Sequence, residues 1–257
     1  MAQRPTVVSA FYPIRSKFPP EQYIQWISQF WPTTTCPLVW FCPPEVAPQF
    51  DAMFRQRPGP TLVWPLPFHE FAAFTRLCPA IWMHAWLQDP EQKIHTPDLY
   101  AVWFEKKEFV SRVIERNPFA SSTFVWCDAG ICRTPAWIPR LAATFPQEAR
   151  IPRGQMLVLQ IQDFLPEDLP ASFTGNRIGG GILASDAAGW SAWYKEYDTM
   201  FMQMLLDNHF IGKDQTIMGS AILANPTLAK RVQPYSALTP VQKWFSLLFY
   251  LAGDDPQ

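Results

Sequence analysis

The sequence lacks a basic excess: 21 lysines and arginines face 22 aspartates and glutamates, for a formal net charge of -1. Proteins that hold nucleic acid by neutralising its phosphates need surplus cations, so that class is excluded, whereas a small anion needs only a few local ones. CxxC spacing is also lacking. Cys36, Cys42, Cys78, Cys127 and Cys132 form an odd set, which argues against a disulfide framework or a zinc site and for thiols packed as small hydrophobes. His69, His84, His95 and His209 show neither HExxH nor paired ligand spacing. No stretch fits the dinucleotide glycine fingerprint or the P-loop. Long apolar runs are missing too: the segment from Trp244 to Ala252 is about half the length that spans a bilayer. Met1 to Pro5 supply no charged region ahead of a long apolar stretch, so they do not read as a secretory signal. The expectation is a soluble, cytoplasmic protein with no transmembrane segment.

What is present is globular in character, with 48% hydrophobic and 17% charged residues. The 27 prolines punctuate the whole chain and mark no single linker, so residues 1–257 are expected to form one domain. The apolar runs Thr6–Tyr12, Leu38–Cys42 and Thr61–Trp64 read as strands. Helical patterns separate them, one after Pro19-Pro20 carrying Tyr23, Ile24, Ile27 and Phe30, another around Phe50, Met53 and Phe54. This alternation predicts βαβ units and a mainly parallel sheet. Phe71–Leu77 and Ile81–Leu87 are ambiguous helical pieces, and Trp103–Arg116 a clear helix stopping at Asn117-Pro118. Strands follow at Thr123–Cys127 and Met156–Ile161, then a helix capped by Asp186 with an aromatic stripe from Trp190 to Leu205, read as core.

Three local features combine into a candidate site. A strand ends at Asp128-Ala129-Gly130, which sets a carboxylate at the mouth of an α/β sheet. Gly179, Gly180 and Gly181 leave room for a flat ligand beside open backbone. Lys213-Asp214-Gln215 opens a helix, offering a carboxylate and an amide. Each also has a structural use, as turn, bulge and helix start. The functional reading requires all of them to converge on one pocket.

In order along the chain, TVVSAFYPIR, FEKKEFVSRVIERNPF, FVWCDAGICR, GNRIGGGILAS and IGKDQTIMGSAILANP resemble the HtrL/YibB-like (WlaTC-like) glycosyltransferases. These are related more distantly to glycogenin-like and LgtC-like enzymes. The resemblance covers most of the chain. It implies a GT-A-like α/β fold, with a mainly parallel, mixed central sheet and helices on both faces, and sugar transfer from a nucleoside diphosphate donor, commonly a UDP-sugar, to a hydroxyl of a glycan-type acceptor. It places Ser9, Ala10, Phe11 and Tyr12 at the base and ribose, with Arg15 and Lys17 near the diphosphate. Asp128 and Gly130 fall at the ribose, metal or diphosphate. Gly179, Gly180 and Gly181 fall near the transferred sugar or acceptor, and Asp214 and Gln215 at the reacting carbon. GT-A enzymes usually carry Asp-x-Asp, and here Gly130 replaces the second acid. That leaves two options: Mn²⁺ or Mg²⁺ held by Asp128 alone, or cationic side chains in its place. Lys107 is the preferred phosphate contact, with Lys106 and Arg112 as further candidates. Arg112 also suits an ion pair with Glu108 one helical turn away. Trp103 and Trp126 are candidates for stacking on base or sugar, and His209 is the histidine nearest Asp214 in sequence. A sugar nucleotidyltransferase and a non-catalytic nucleotide-sugar-binding protein remain open. The former lacks its phosphate loop, since Tyr12-Pro13-Ile14-Arg15 holds no glycine.

Overall fold

The computed structural model describes residues 4–255; Met1 to Gln3, which begin the stretch not read as a secretory signal, lie outside the described residues. In chain order the elements are β1 (Thr6–Ala10), α1 (Pro20–Phe30), β2 (Leu38–Cys42), α2 (Ala47–Phe54), β3 (Thr61–Pro65), α3 (Ala72–Thr75), α4 (Ala80–Gln88) and α5 (Pro97–Arg116). They continue as β4 (Thr123–Cys127), α6 (Ile138–Thr144), β5 (Met156–Gln160), β6 (Ile178–Asp186), α7 (Ala187–Leu206), α8 (Asp214–Ala224), β7 (Ala229–Val232) and α9 (Ser246–Leu251).

Among the described residues the strands form one seven-stranded sheet in the order β3-β2-β1-β4-β6-β5-β7. β3, β2, β1 and β4 run parallel; β6 is antiparallel to both β4 and β5; β5 and β7 are parallel to each other. The expected mixed, mainly parallel sheet is therefore the one observed.

Strand alternation sends successive side chains to opposite faces, and two cores result. Val8, Val39, Phe41 and Trp126 pack on one side with α4, α5, α7 and α8. Val7, Leu38, Trp40 and Val125 pack on the other with α1, α2, α6 and α9. All five residues of β2 and of β4 are buried, as strands covered on both faces require. The aromatic stripe of α7 is core: Trp190, Trp193, Tyr197, Phe201 and Met204 are buried in the first cluster.

Two helix starts explain how functional side chains are phased. Thr96 accepts a hydrogen bond from the Leu99 amide and Pro97 occupies the first turn, so α5 begins six residues before the predicted Trp103. Asp186 caps α7 as expected, accepting from the Gly189 amide at 2.9 Å. In the sheet order the chain leaves β1 toward β2 and returns on the opposite side as β4. Such a reversal opens a crevice at the carboxyl ends of the two strands.

Candidate functional site

That crevice is occupied by a cleft. A smaller cavity of about 130 Å³ is lined by Ala10 at the end of β1, Phe11 and Tyr12 just after it, Asp128, Ala129 and Gly130 beyond β4, Tyr23 of α1, and Leu99, Val102, Trp103 and Lys106 of α5. A larger cavity of about 560 Å³ shares Trp103, Lys106, Asp128, Gly130 and Arg133 with it and adds Gly180, Gly181, Asp214, Gln215, Lys17, Glu91, His95, Lys213 and Trp244.

The floor is a buried charge cluster. Lys106 Nζ donates to Asp214 Oδ2 at 2.8 Å and to the Gly180 carbonyl at 2.9 Å, and lies 3.2 Å from Asp128 Oδ1. The Lys106 and Asp214 side chains are each 7% exposed, whereas Asp128 keeps 41% of its side chain open toward the cleft. Burial alone would pull the Lys106 ammonium down; the carboxylates of Asp128 and Asp214 outweigh it and hold its pKa above the ordinary lysine value. The Trp126 indole donates to Asp128 Oδ1 at 2.8 Å and fixes that carboxylate, while the Asp128 amide extends the β4–β6 ladder by donating to the Gly181 carbonyl.

The glycines have specific steric reasons. A Cβ on Gly180 would lie 2.6 Å from Asp214 Oδ2, so this glycine admits the Asp214 carboxylate to the strand. At Gly130 a Cβ would sit 3.0 Å from the Tyr23 and Trp26 rings. Gly179 has only ordinary contacts, the nearest at 3.4 Å from Leu159. All three glycines of the triplet lie inside β6 rather than in a turn before it. Gly179 does not line the cleft; Gly180 and Gly181 do.

Asp128, Gly130, Gly180, Gly181, Asp214 and Gln215 thus come together around one cavity, with Ala10, Phe11, Tyr12 and Trp126 in its neighbour. Other candidates do not join them. Ser9 is fully buried within β1, and its Oγ makes no hydrogen bond among the described residues. Arg15 is exposed and donates to the Lys93 carbonyl at 3.1 Å. His209 is not among the lining residues. Lys107, the preferred phosphate contact, lines neither cavity: its ammonium is enclosed 2.7 Å from Glu108 Oε1 and 3.0 Å from Asp198 Oδ1, over the Phe104 ring. Arg112 lies 3.7 Å from Glu105 instead of pairing with Glu108, which is held by Arg76 and Lys107. One residue is one hundred degrees of helix, so Lys106, not Lys107, shares the cleft face with Leu99, Val102 and Trp103.

Sequence reasoning assigned no role to Arg133, although it closes the FVWCDAGICR segment. It lines both cavities, and its Nε donates to the Gly130 carbonyl at 3.0 Å. Lys213 was visible beside Asp214, but its ion pair with Glu91 was not. The larger cavity is lined by four cations, Lys17, Lys106, Arg133 and Lys213, against three carboxylates, Glu91, Asp128 and Asp214. Lys106 and Lys213 are paired with those three carboxylates, which leaves Arg133 and Lys17 without a carboxylate partner among them. At the rim, Asp89, Glu91 and His95 bring one ligand atom each within 4.8 Å of one another and could hold a metal ion. These atoms have protein partners as well: Asp89 Oδ2 lies 2.7 Å from His95 Nδ1 and accepts from the Tyr100 hydroxyl, and Glu91 pairs with Lys213.

Fold and cleft define the class: an α/β protein with a cleft where the strand order of a mixed sheet reverses. Residues 84–250 match the family described as "Bacterial protein of unknown function (HtrL_YibB)", and the chain belongs to that family. The solved structure of mouse xyloside xylosyltransferase 1, in its apo form, aligns with a TM-score of 0.49 at 9% identity, over 94% of this chain and 93% of that one. No curated protein matches the sequence. Among the described residues no helix is long and apolar enough to cross a membrane.

Proposed function

We propose that the chain is a glycosyltransferase that takes a sugar from a nucleoside diphosphate donor, a UDP-sugar in the first instance, and passes it to a hydroxyl of a glycan-type acceptor. The observation that carries the reading is the pairing of Asp128 and Asp214, from two separate elements, on one buried lysine at the floor of a cation-lined cleft. In this reaction the bond from the sugar carbon to the diphosphate breaks, with its electron pair leaving on the diphosphate. The acceptor oxygen bonds to the carbon and gives its proton to the Asp214 carboxylate. Protein groups contribute by orienting the reactants and stabilising charge. The smaller cavity, with Phe11, Tyr23 and Trp103 in its walls, suits the base and ribose. Arg133 and Lys17 face the diphosphate, Asp214 and Gln215 stand beside the reacting carbon, and Trp244 offers an apolar platform for the acceptor at the rim.

Mn²⁺ or Mg²⁺, frequent companions of such donors, find a poor ligand set at Asp128. Gly130 offers no side-chain oxygen, and the Lys106 ammonium already stands 3.2 Å from Oδ1. No step is therefore routed through a metal.

The test is nucleotide release from a panel of nucleotide sugars with glycan acceptors. Asp128→Ala is expected to weaken donor binding, and Asp214→Asn to lower kcat on the order of a hundredfold with a smaller change in KM. Full activity in both variants would remove the site assignment. Calorimetric binding of a donor without any nucleotide release would make the protein a binder.

A further inference from the structure

Two oxygens that a bridging cation would use are already taken. An ammonium has three protons, and Lys106 meets three acceptors: Asp214 Oδ2 at 2.8 Å, the Gly180 carbonyl at 2.9 Å and Asp128 Oδ1 at 3.2 Å. The lysine comes from the middle of the twenty-residue α5, with its side chain 7% exposed, so it is not a surface arm that swings aside. A hard divalent ion needs several oxygens at short range. To gain them it would have to expel a buried ammonium from both of its carboxylates, which leaves that charge unpaired.

Resting on the donor reading above, we propose that Lys106 takes the place of a divalent ion: its ammonium fills the point shared by Asp128 and Asp214, and the cleft binds its diphosphate ligand without metal. Lys106 is then the internal counter-ion that keeps both carboxylates together. Attraction for the diphosphate falls to Arg133, which lines both cavities, and to Lys17. The rim group of Asp89, Glu91 and His95 is separate from this point, sharing neither carboxylate.

Titration of Mn²⁺ alone, with free Mn²⁺ followed by electron paramagnetic resonance, decides the matter without any donor or turnover. Wild type and Asp128→Asn are expected to give the same isotherm, whatever the rim group binds. Lys106→Met is expected to gain a Mn²⁺ site about tenfold or more tighter than any Asp128-dependent binding in wild type, because two carboxylates then lack a counter-ion; adding Asp128→Asn removes that site. A wild-type Mn²⁺ site lost in Asp128→Asn, or a folded Lys106→Met variant with no new site, overturns the proposal. Should Lys106→Met fail to fold by circular dichroism, the wild-type and Asp128→Asn comparison decides alone.

A second measurement titrates UDP calorimetrically into wild type in EDTA and in Mn²⁺. Dissociation constants agreeing within about threefold are expected. A tenfold or larger gain with Mn²⁺ that Asp128→Asn abolishes would also overturn it. Absence of UDP binding in both buffers counts against the uridine donor reading, and the Mn²⁺ titration still answers for Lys106.

Discussion

Glu105, Lys106, Lys107 and Glu108 follow one another on α5, all four buried, and each meets a different set of partners. Glu105 accepts from the Ala72 and Ala73 amides, Lys106 holds the cleft carboxylates, and Lys107 and Glu108 pair with each other and with Asp198 and Arg76. Charged residues are rarely buried unless paired. Those partners lie far away in the chain, so only the fold brings them in. The helical phase of α5 aligns Lys106 with Leu99, Val102 and Trp103 and turns Lys107 away, a distinction lost when the helix is begun at Trp103 and Lys107 is preferred. Glu105 has a measurable consequence. Burial, the largest influence on it, pushes its carboxyl up to about 7. Between the ordinary glutamate value and about 7, the folded chain binds more protons at this site than the unfolded one, so stability falls as pH rises through that window. Urea unfolding of wild type and Glu105→Gln from pH 5 to 8 checks this. Relative to the variant, wild type is expected to lose up to about 3 kcal/mol with rising pH. A difference that grows in the opposite sense contradicts the assignment.

At the level of elements, legibility followed burial pattern and punctuation. β2 and β4 have the boundaries read from the sequence, because each is an unbroken apolar run closed by proline or by Asp128. The misses have physical causes. β7 is four residues long with Lys230 and Arg231 exposed, the charged habit of a sheet edge. α6 is short and carries Pro139 in its first turn. α9 is buried at all six positions, so its apolar run has no helical period to read. The glycines of β6 read in the sequence as ligand space, whereas Gly180 makes room for a side chain of the same molecule. Gly180→Ala is expected to push Asp214 off Lys106, cost about 1–3 kcal/mol as overpacking does, and lower turnover with it. Gly179→Ala, with ordinary contacts only, should retain turnover and change stability by less than about 1 kcal/mol. Melting curves and nucleotide-release rates for the pair would separate them; equal behaviour would show that close approach at Gly180 is unimportant.

For the molecule as a whole, the N-terminal strand–helix alternation predicted parallel β1, β2 and β3 correctly. The insertion of antiparallel β6 between β4 and β5 has no local signature, because strand order is decided by packing over the whole sheet. The convergence of the Asp128 turn, the glycine strand and the Asp214 helix start rests on that order: β4 and β6 are neighbours, and α8 packs on β6. Ligand binding should therefore stabilise the entire fold. A UDP-sugar present at about one hundred times its dissociation constant is expected to add about 2.7 kcal/mol and raise the melting temperature by roughly 5–10 °C. A flat thermal shift across the nucleotide-sugar panel would count against the donor reading. The 2.6 Å separation between a Gly180 Cβ and Asp214 Oδ2 also sets a rule of descent for the family. A side chain at 180 crowds the acid at 214, so the two positions are expected to vary together among relatives.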